Sequence, residues 1–456
     1  MERKAPERGK NLDSSNPNAG SFASLGLSPL FSGSLKERNI LYPTEIQRHV
    51  IPRLLAGESF IFRSATGTGK TFAYLLPLLE RLVGLLGDNG EAAVLRGKPL
   101  LLVAAPTFEL CSQIKSEADF LLRAVPFPVR TALFIGSAAL GRQVELLKKE
   151  RPGLIVGNPG RILALARQGK LKLGNIRFLV LDEGDRLVQD ELFEETREMV
   201  SLLKQPLQAT ACSATFPAKS RQRLLPLLGI PEPAASTDHS REVNRSSPPV
   251  SNEAVLSSDD SILNVLREKI EHWAFFSPER EKIDLLRSLL AALDAAGGKR
   301  AKAERGAVGK KIFPVKALIF SGRAGQVENI AARLRSHKLP AAALSGGMDK
   351  TGRRQALAAF RSGQIRFLVS SDLAARGLDI SGISHVIALD VNEDRDVYLH
   401  RAGRTARAGK SGVMISIGTE GEMRRLAALE KTLGLTVYPK VLFGGRILAP
   451  EPEEEQ

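Results

Sequence analysis

Two tandem α/β domains, each a mainly parallel sheet flanked by helices, are the fold class that this sequence predicts. Three observations predict it. A chain of 456 residues has the length of two ordinary domains. Short, continuously apolar runs alternate with helical patterns, which is how buried parallel strands and their crossover helices read. The alternation breaks once, over a stretch rich in Pro and Ser, and then resumes.

The elements follow in order. Residues 1–20 are polar and predicted to be disordered. Over 21–230, Ser59–Ser64, Leu100–Ala105, Thr131–Gly136, Leu154–Gly157, Phe178–Glu183 and Leu207–Thr215 read as buried strands. Helical stretches such as Thr71–Leu86 lie between them. Residues 231–265 read as a linker of uncertain strand content. Over 266–445 the strand pattern returns in Ala317–Ser321, Ala341–Ser345, Phe367–Asp372, His385–Asp390 and Val413–Gly418. The basic interruption Lys299–Lys311 reads as a solvated loop or an RNA contact. Residues 446–456 form an acidic tail.

Composition narrows the function. The net charge of +15 favours a polyanionic partner, nucleic acid before anionic membrane, although a merely basic soluble protein fits too. Cys111 and Cys212 are the only cysteines, which excludes a disulfide scaffold or a Cys-based metal site and suits a reducing compartment. No apolar run approaches a membrane span, and the N-terminus lacks the apolar core of a secretory signal, so the cytoplasm is the expected location.

Ser64-Ala-Thr-Gly-Thr-Gly-Lys-Thr71 follows a strand and opens a helix, the context a phosphate-binding loop requires. Gly67 and Gly69 let the backbone curl so that the N–H groups of Thr66, Gly67, Thr68 and Gly69 can cradle phosphate oxygens. The helix N-terminus adds positive potential. Lys70 can reach the β and γ phosphates, and the Thr71 hydroxyl can bind Mg²⁺. Downstream, Asp182 ends an apolar strand and Glu183 follows it. Asp182 is the candidate to hold Mg²⁺ through its water shell, and Glu183 the candidate general base. Alone, such an acidic pair is more often a solvated turn. Beside a phosphate loop, it completes what phosphoryl transfer needs.

His400-Arg-Ala-Gly-Arg-Thr-Ala-Arg407 is dense in guanidinium. Arg404 and Arg407 are three apart and on a helix would face one way, as arginine fingers offered by the second domain; a basic surface helix is the bland alternative.

Together these segments resemble the DEAD-box family of superfamily 2 helicases over residues 22–440, with two RecA-like domains. Asn39–Gln47 resembles the Q motif, which implies that Gln47 reads the adenine edge and Phe22 stacks on the base. Pro106–Leu110 is similar to motif Ia, Gly136-Ser137 to the glycine pair, and Asn158–Arg161 to motif Ib. Asp182-Glu-Gly-Asp185 is similar to the namesake motif with one change, and Ser213-Ala-Thr215 to motif III. Leu318–Arg323 resembles motif IV; Ser371-Asp372, Arg376-Gly377 and Asp379 resemble motif V; His400–Arg407 resembles motif VI. The resemblance implies ATP and Mg²⁺ as cofactors, with Asp379 at the ribose and Arg404 and Arg407 as fingers. It implies RNA contacts at Pro106, Thr107, Gly136, Gly160, Arg161, Arg323, Arg353 and Ser371. Asp185, Ser213, Thr215 and His400 would couple the domains.

Departures fall mostly on the RNA side: Phe108 for Arg, Asn158 for Thr, Ser137 for Gly, Lys350 for Gln and Ser345 for His. On the ATP side, Ser64 and Gly184 each stand where the family has Ala, and Gly184 should loosen its turn. The function implied is an RNA-stimulated ATPase that closes on RNA and unwinds short duplexes locally, working as a monomer, with ribosomal particles or the RNA-decay machinery as partners. The alternatives are an ATP-dependent RNA clamp or assembly factor with little unwinding, a DNA translocase, and a nonenzymatic basic module.

Overall fold

A computed structural model describes residues 20–64, 69–87, 97–136, 139–204, 207–231, 253–254, 263, 266–303, 315–375, 380, 382–406 and 411–450. Most of the expected N-terminal segment and linker, and residues 451–456 of the tail, lie outside these.

The first sheet comprises β1 (Phe60–Arg63), β2 (Leu101–Ala104), β3 (Thr131–Phe134), β4 (Leu154–Gly157), β5 (Phe178–Asp182), β6 (Gln208–Ser213) and β7 (Glu253–Ala254). The second comprises β8 (Ile270–Phe276), β9 (Ala317–Phe320), β10 (Ala341–Leu344), β11 (Phe367–Ser370), β12 (His385–Ala388), β13 (Gly412–Gly418) and β14 (Val437–Pro439). All pairings within these two sheets are parallel. Their orders are β3-β4-β2-β5-β6-β1-β7 and β10-β11-β9-β12-β13-β8-β14. Counted from the first strand of each, the two orders are the same, so one architecture is used twice.

Each sheet is covered by helices on both faces, and that is why the strands are apolar throughout. In β1, Phe60 and Phe62 enter one core while Ile61 enters the core on the opposite face. In β9, Leu318 and Phe320 are separated from Ala317 and Ile319 in the same way. No described helix is long and apolar enough to cross a membrane.

Some boundaries differ from those the sequence suggests. The expected linker supplies β7, which pairs with β1 at the edge of the first sheet. The helix Lys282–Ala303 runs into the basic stretch expected to be a loop. The boundary at 445 falls within an antiparallel hairpin of β15 (Val441–Phe443) and β16 (Arg446–Leu448). Gly444 and Gly445 turn that hairpin with φ of 56° and 71°, a conformation that glycine adopts without strain.

Candidate active site

The phosphate loop leaves β1 and enters the helix Lys70–Gly87. Thr66, Gly67 and Thr68 lie outside the described residues, as do Ser137, Arg376, Gly377, Asp379 and Arg407. Gly69 closes the loop at φ +89°, where a side chain is strained and where a Cβ would stand 2.5 Å from Gln47 Nε2.

Gln47 is 1% exposed, and both ends of its amide are hydrogen-bonded. Its Oε1 accepts the Thr44 N–H at 2.9 Å, completing a capping box, and its Nε2 donates to the Gly69 carbonyl at 3.1 Å. The residue expected to read adenine therefore braces the phosphate loop in this structure. Phe22 is half-buried at the edge of the same core.

Lys70 Nζ lies 3.0 Å from Asp182 Oδ1. Burial opposes the ammonium charge, but Asp182, with Glu183 adding to it, outweighs burial and holds the pKa above the usual lysine range. Asp182 is buried at the end of β5. Its Oδ1 also accepts the Glu183 N–H at 2.9 Å and the Cys212 thiol at 3.4 Å, and its Oδ2 accepts the Tyr74 hydroxyl at 2.8 Å. Tyr74 and Cys212 belong to the site and were missed, because each sits within an apolar run that reads as core.

Glu183 adopts the left-handed conformation at φ 51°, which turns its carboxylate out of the strand and into the cleft. Burial pushes its pKa up, against the opposing pull of Lys70 and Arg404. Gly184 is buried against Ala211 and Leu224, where an added Cβ would lie 3.1 Å from Ala211 Cβ. Close packing, rather than a loosened turn, is what this glycine brings. Asp185 accepts hydrogen bonds from Ser213 and, at 2.9 Å, from the Thr215 hydroxyl. Three of the expected coupling residues are thus one buried cluster.

A cleft lies between the domains, lined by Lys70, Glu183, Asp185, Ser213, His400 and Arg404 among others. Arg404 is not on a helix. The helix Arg395–Ala402 is capped by Gly403, and Arg404 stands in the turn beyond it rather than at the helical position expected for it. Arg401 is buried and structural: it makes a two-pronged contact with Asp372 at 2.7 and 2.8 Å and also bonds Asp390.

Residues 44–224 match the DEAD/DEAH box helicase family model, and residues 300–409 match the helicase conserved C-terminal domain model. The DEAD-box ATP-dependent RNA helicase CshC of Bacillus cereus is 32% identical over 414 residues, covering 90% of each chain. The chain belongs to the DEAD-box family of ATP-dependent RNA helicases. It is also similar to ATP-dependent RNA helicase RhlB of Pseudomonas syringae, 30% identical over 91% of this chain and 92% of that one. Among solved structures, S. cerevisiae Dbp5 bound to RNA and ADP BeF3 superposes with a TM-score of 0.71 at 24% identity, covering 92% of this chain and 96% of Dbp5. Mss116p bound to ssRNA and AMP-PNP gives 0.69 at 20% identity, covering 92% and 79%.

The DEAD-box positions expected to meet RNA are distributed over both domains. Thr107 caps the helix Phe108–Leu122, accepting the Leu110 N–H at 3.3 Å, and Pro106 precedes it. Arg161 donates to the Ile135 and Gly136 carbonyls, each at 2.9 Å. A Cβ at Gly160 would stand 2.5 Å from the carboxylate of Glu195, an exposed side chain that would have to move aside. Asn158 donates to the Ala105 carbonyl at 2.8 Å, tying the end of β4 to that of β2. In the second domain, Ser371 is buried, whereas Arg323 is exposed and lies 3.5 Å from Glu279. Arg353 reaches across to Glu109 of motif Ia, a contact that residue types alone do not disclose.

Proposed function

We propose that this DEAD-box protein hydrolyses ATP in the interdomain cleft and uses closure of that cleft to bend RNA and unwind short duplexes locally. One observation carries the reading. Lys70 and Glu183 of the first domain line the same cleft as His400 and Arg404 of the second. A site divided in this way is complete only when the domains are together, so hydrolysis and closure are coupled by construction.

Each residue then has a task. Lys70 exchanges Asp182 for the phosphates, and Glu183 orients and deprotonates the attacking water. Arg404, with Arg407, offsets charge on the γ-phosphate. Phe22, Gln47 and Asp379 serve the base and ribose. The cluster of Asp185, Ser213 and Thr215, facing His400, transmits the state of the ATP site. Thr71 and Asp182 fit Mg²⁺: both offer hard oxygen donors, and Asp182 Oδ1 already faces a cation in Lys70. When bound, Mg²⁺ neutralises phosphate charge. RNA is held along its backbone by Thr107, Gly136, Gly160, Arg161, Arg323, Arg353 and Ser371, with little reading of sequence. The settings that fit are ribosomal particles or RNA decay, with a monomer as the working unit.

The test uses the full-length chain in parallel ATPase and strand-displacement assays. Glu183→Gln is expected to abolish RNA-stimulated turnover while ATP still binds; unchanged turnover removes Glu183 as the base. A clamp with little unwinding is the second reading. It is favoured by Phe108, which is 40% exposed and uncharged, and by Asn158, whose amide is engaged by Ala105. RNA-stimulated hydrolysis without displacement of a short duplex would select it.

A further inference from the structure

Tyr74 touches both of the residues assigned to the divalent cation. It sits one turn into the helix Lys70–Gly87 and is fully buried. Its hydroxyl donates to Asp182 Oδ2 at 2.8 Å and shares a side-chain hydrogen bond with Thr71. The ring packs in the core on that face of the sheet, which phenylalanine could do equally well. The hydroxyl goes beyond what packing needs, and a buried hydroxyl is tolerated only where it is hydrogen-bonded.

The two oxygens of Asp182 are held differently. Oδ1 faces Lys70, the Glu183 N–H and the Cys212 thiol. Among the described residues, Oδ2 takes the Tyr74 hydroxyl. When Lys70 turns to phosphate, Oδ1 keeps only the Glu183 N–H and the Cys212 thiol, and the Tyr74 hydroxyl on Oδ2 is what still fixes the rotation of the carboxylate.

We propose that Tyr74 is a positioning residue whose hydroxyl fixes Asp182 and Thr71 toward the phosphate loop and so sets divalent-cation affinity rather than the rate of the chemical step. This rests on the assignment of Asp182 and Thr71 to Mg²⁺.

The probe is Mn²⁺, titrated into the full-length protein with ADP and followed by the electron paramagnetic resonance signal of the free ion. Tyr74→Phe is expected to weaken Mn²⁺ binding about 10-fold, the scale of one hydrogen bond to a charged group. The Mg²⁺ concentration for half-maximal hydrolysis should rise in step, with kcat at saturating Mg²⁺ changed less than about twofold. Unchanged Mn²⁺ affinity overturns the proposal, as does a fall in kcat at saturating Mg²⁺ with Mn²⁺ affinity preserved, which marks a merely structural hydroxyl. Asp182→Asn separates the two levels. If it weakens Mn²⁺ binding and Tyr74→Phe does not, only the positioning role fails; if neither does, the cation assignment fails with it.

Discussion

Glu109, in the first turn of the helix Phe108–Leu122, is ion-paired with Arg353 of the helix Lys350–Ser362. The Arg353 guanidinium also donates to the Ala374 carbonyl at 2.8 Å. The pair spans the two domains, with side chains 17% and 13% exposed. Removing either partner leaves a poorly hydrated charge at the interface. Glu109→Gln and Arg353→Ala are each expected to lower RNA-stimulated turnover about 10-fold or more. The double variant should be little worse than either single one. Losses that multiply, measured as RNA-dependent kcat, would show that the two residues act separately.

The pH dependence of hydrolysis should report Glu183. Burial raises its pKa, while Lys70 and Arg404 hold it down. A general base must be deprotonated, so activity is lost as pH falls through that raised pKa. Arg404→Ala removes a charge that lowers it. The acid limb of the kcat profile should therefore move to higher pH, besides the overall loss of rate. A limb that stays in place while the rate falls would show that Arg404 does not act on Glu183.

The same shift bears on stability. A carboxyl whose folded pKa is raised makes the folded state less favourable as pH rises from the ordinary glutamate pKa to the raised one. Glu183→Gln escapes that penalty. Its melting temperature should exceed that of the parent at pH 8, and the difference should shrink toward pH 4, where Glu183 is protonated. Thermal melts at the two pH values check this.

Gln47 and Gly69 form a joint test of the phosphate loop. Gly69→Ala places a Cβ 2.5 Å from Gln47 Nε2 on a backbone at φ +89°. Nucleotide binding, read by fluorescence of a labelled ADP, should fall at least about 10-fold, since strain of about 1–3 kcal/mol must be relieved by moving the loop. Gln47→Ala removes the capping-box partner and the Gly69 contact, and should cost about 1–2 kcal/mol of stability.

Arg401 and Arg404 should separate cleanly. Arg401 is 3% exposed and joins Asp372 to Asp390. Arg401→Ala should destabilise the second domain by about 3–5 kcal/mol, seen in denaturant unfolding. Arg404→Ala leaves the Asp372–Arg401–Asp390 bridge in place and should act on turnover.

Much of this was legible in the residues. All eleven strands expected from apolar runs are present, because buried parallel strands are apolar on both faces. The strands that were missed are β7, β8 and β14, and β15 and β16 of the hairpin across residue 445. β8 carries Glu271 and His272 among its aromatics, while β7 and β14 are two and three residues long at sheet edges, too short for periodicity to register. At the site, glycines and charges in the motifs marked the phosphate loop, Glu183 and Arg404. Tyr74 and Cys212 left no signal, since each lies in an apolar run and reaches Asp182 only where β5 and β6 meet the helix after β1. The Glu109–Arg353 pair was hidden for another reason: 244 positions separate its members, and only the approach of two domains joins them.

The repeated strand order sets an asymmetry. By position in its sheet, β8 is the counterpart of β1. After β1 comes a glycine-rich turn ending in Lys70; after β8 comes Ser277-Pro278, then Glu279 and Glu281. Glu279 and Glu281 there are ion-paired with Lys282, Arg323 and Arg280, and no glycine offers backbone N–H groups to a phosphate. The second copy therefore lacks the glycine-rich turn of the first, and its contribution to the shared cleft is His400 and Arg404. On the proposed function, the first copy then binds the ATP and the second brings Arg404 to the same cleft, so the duplicated fold divides one site between two copies.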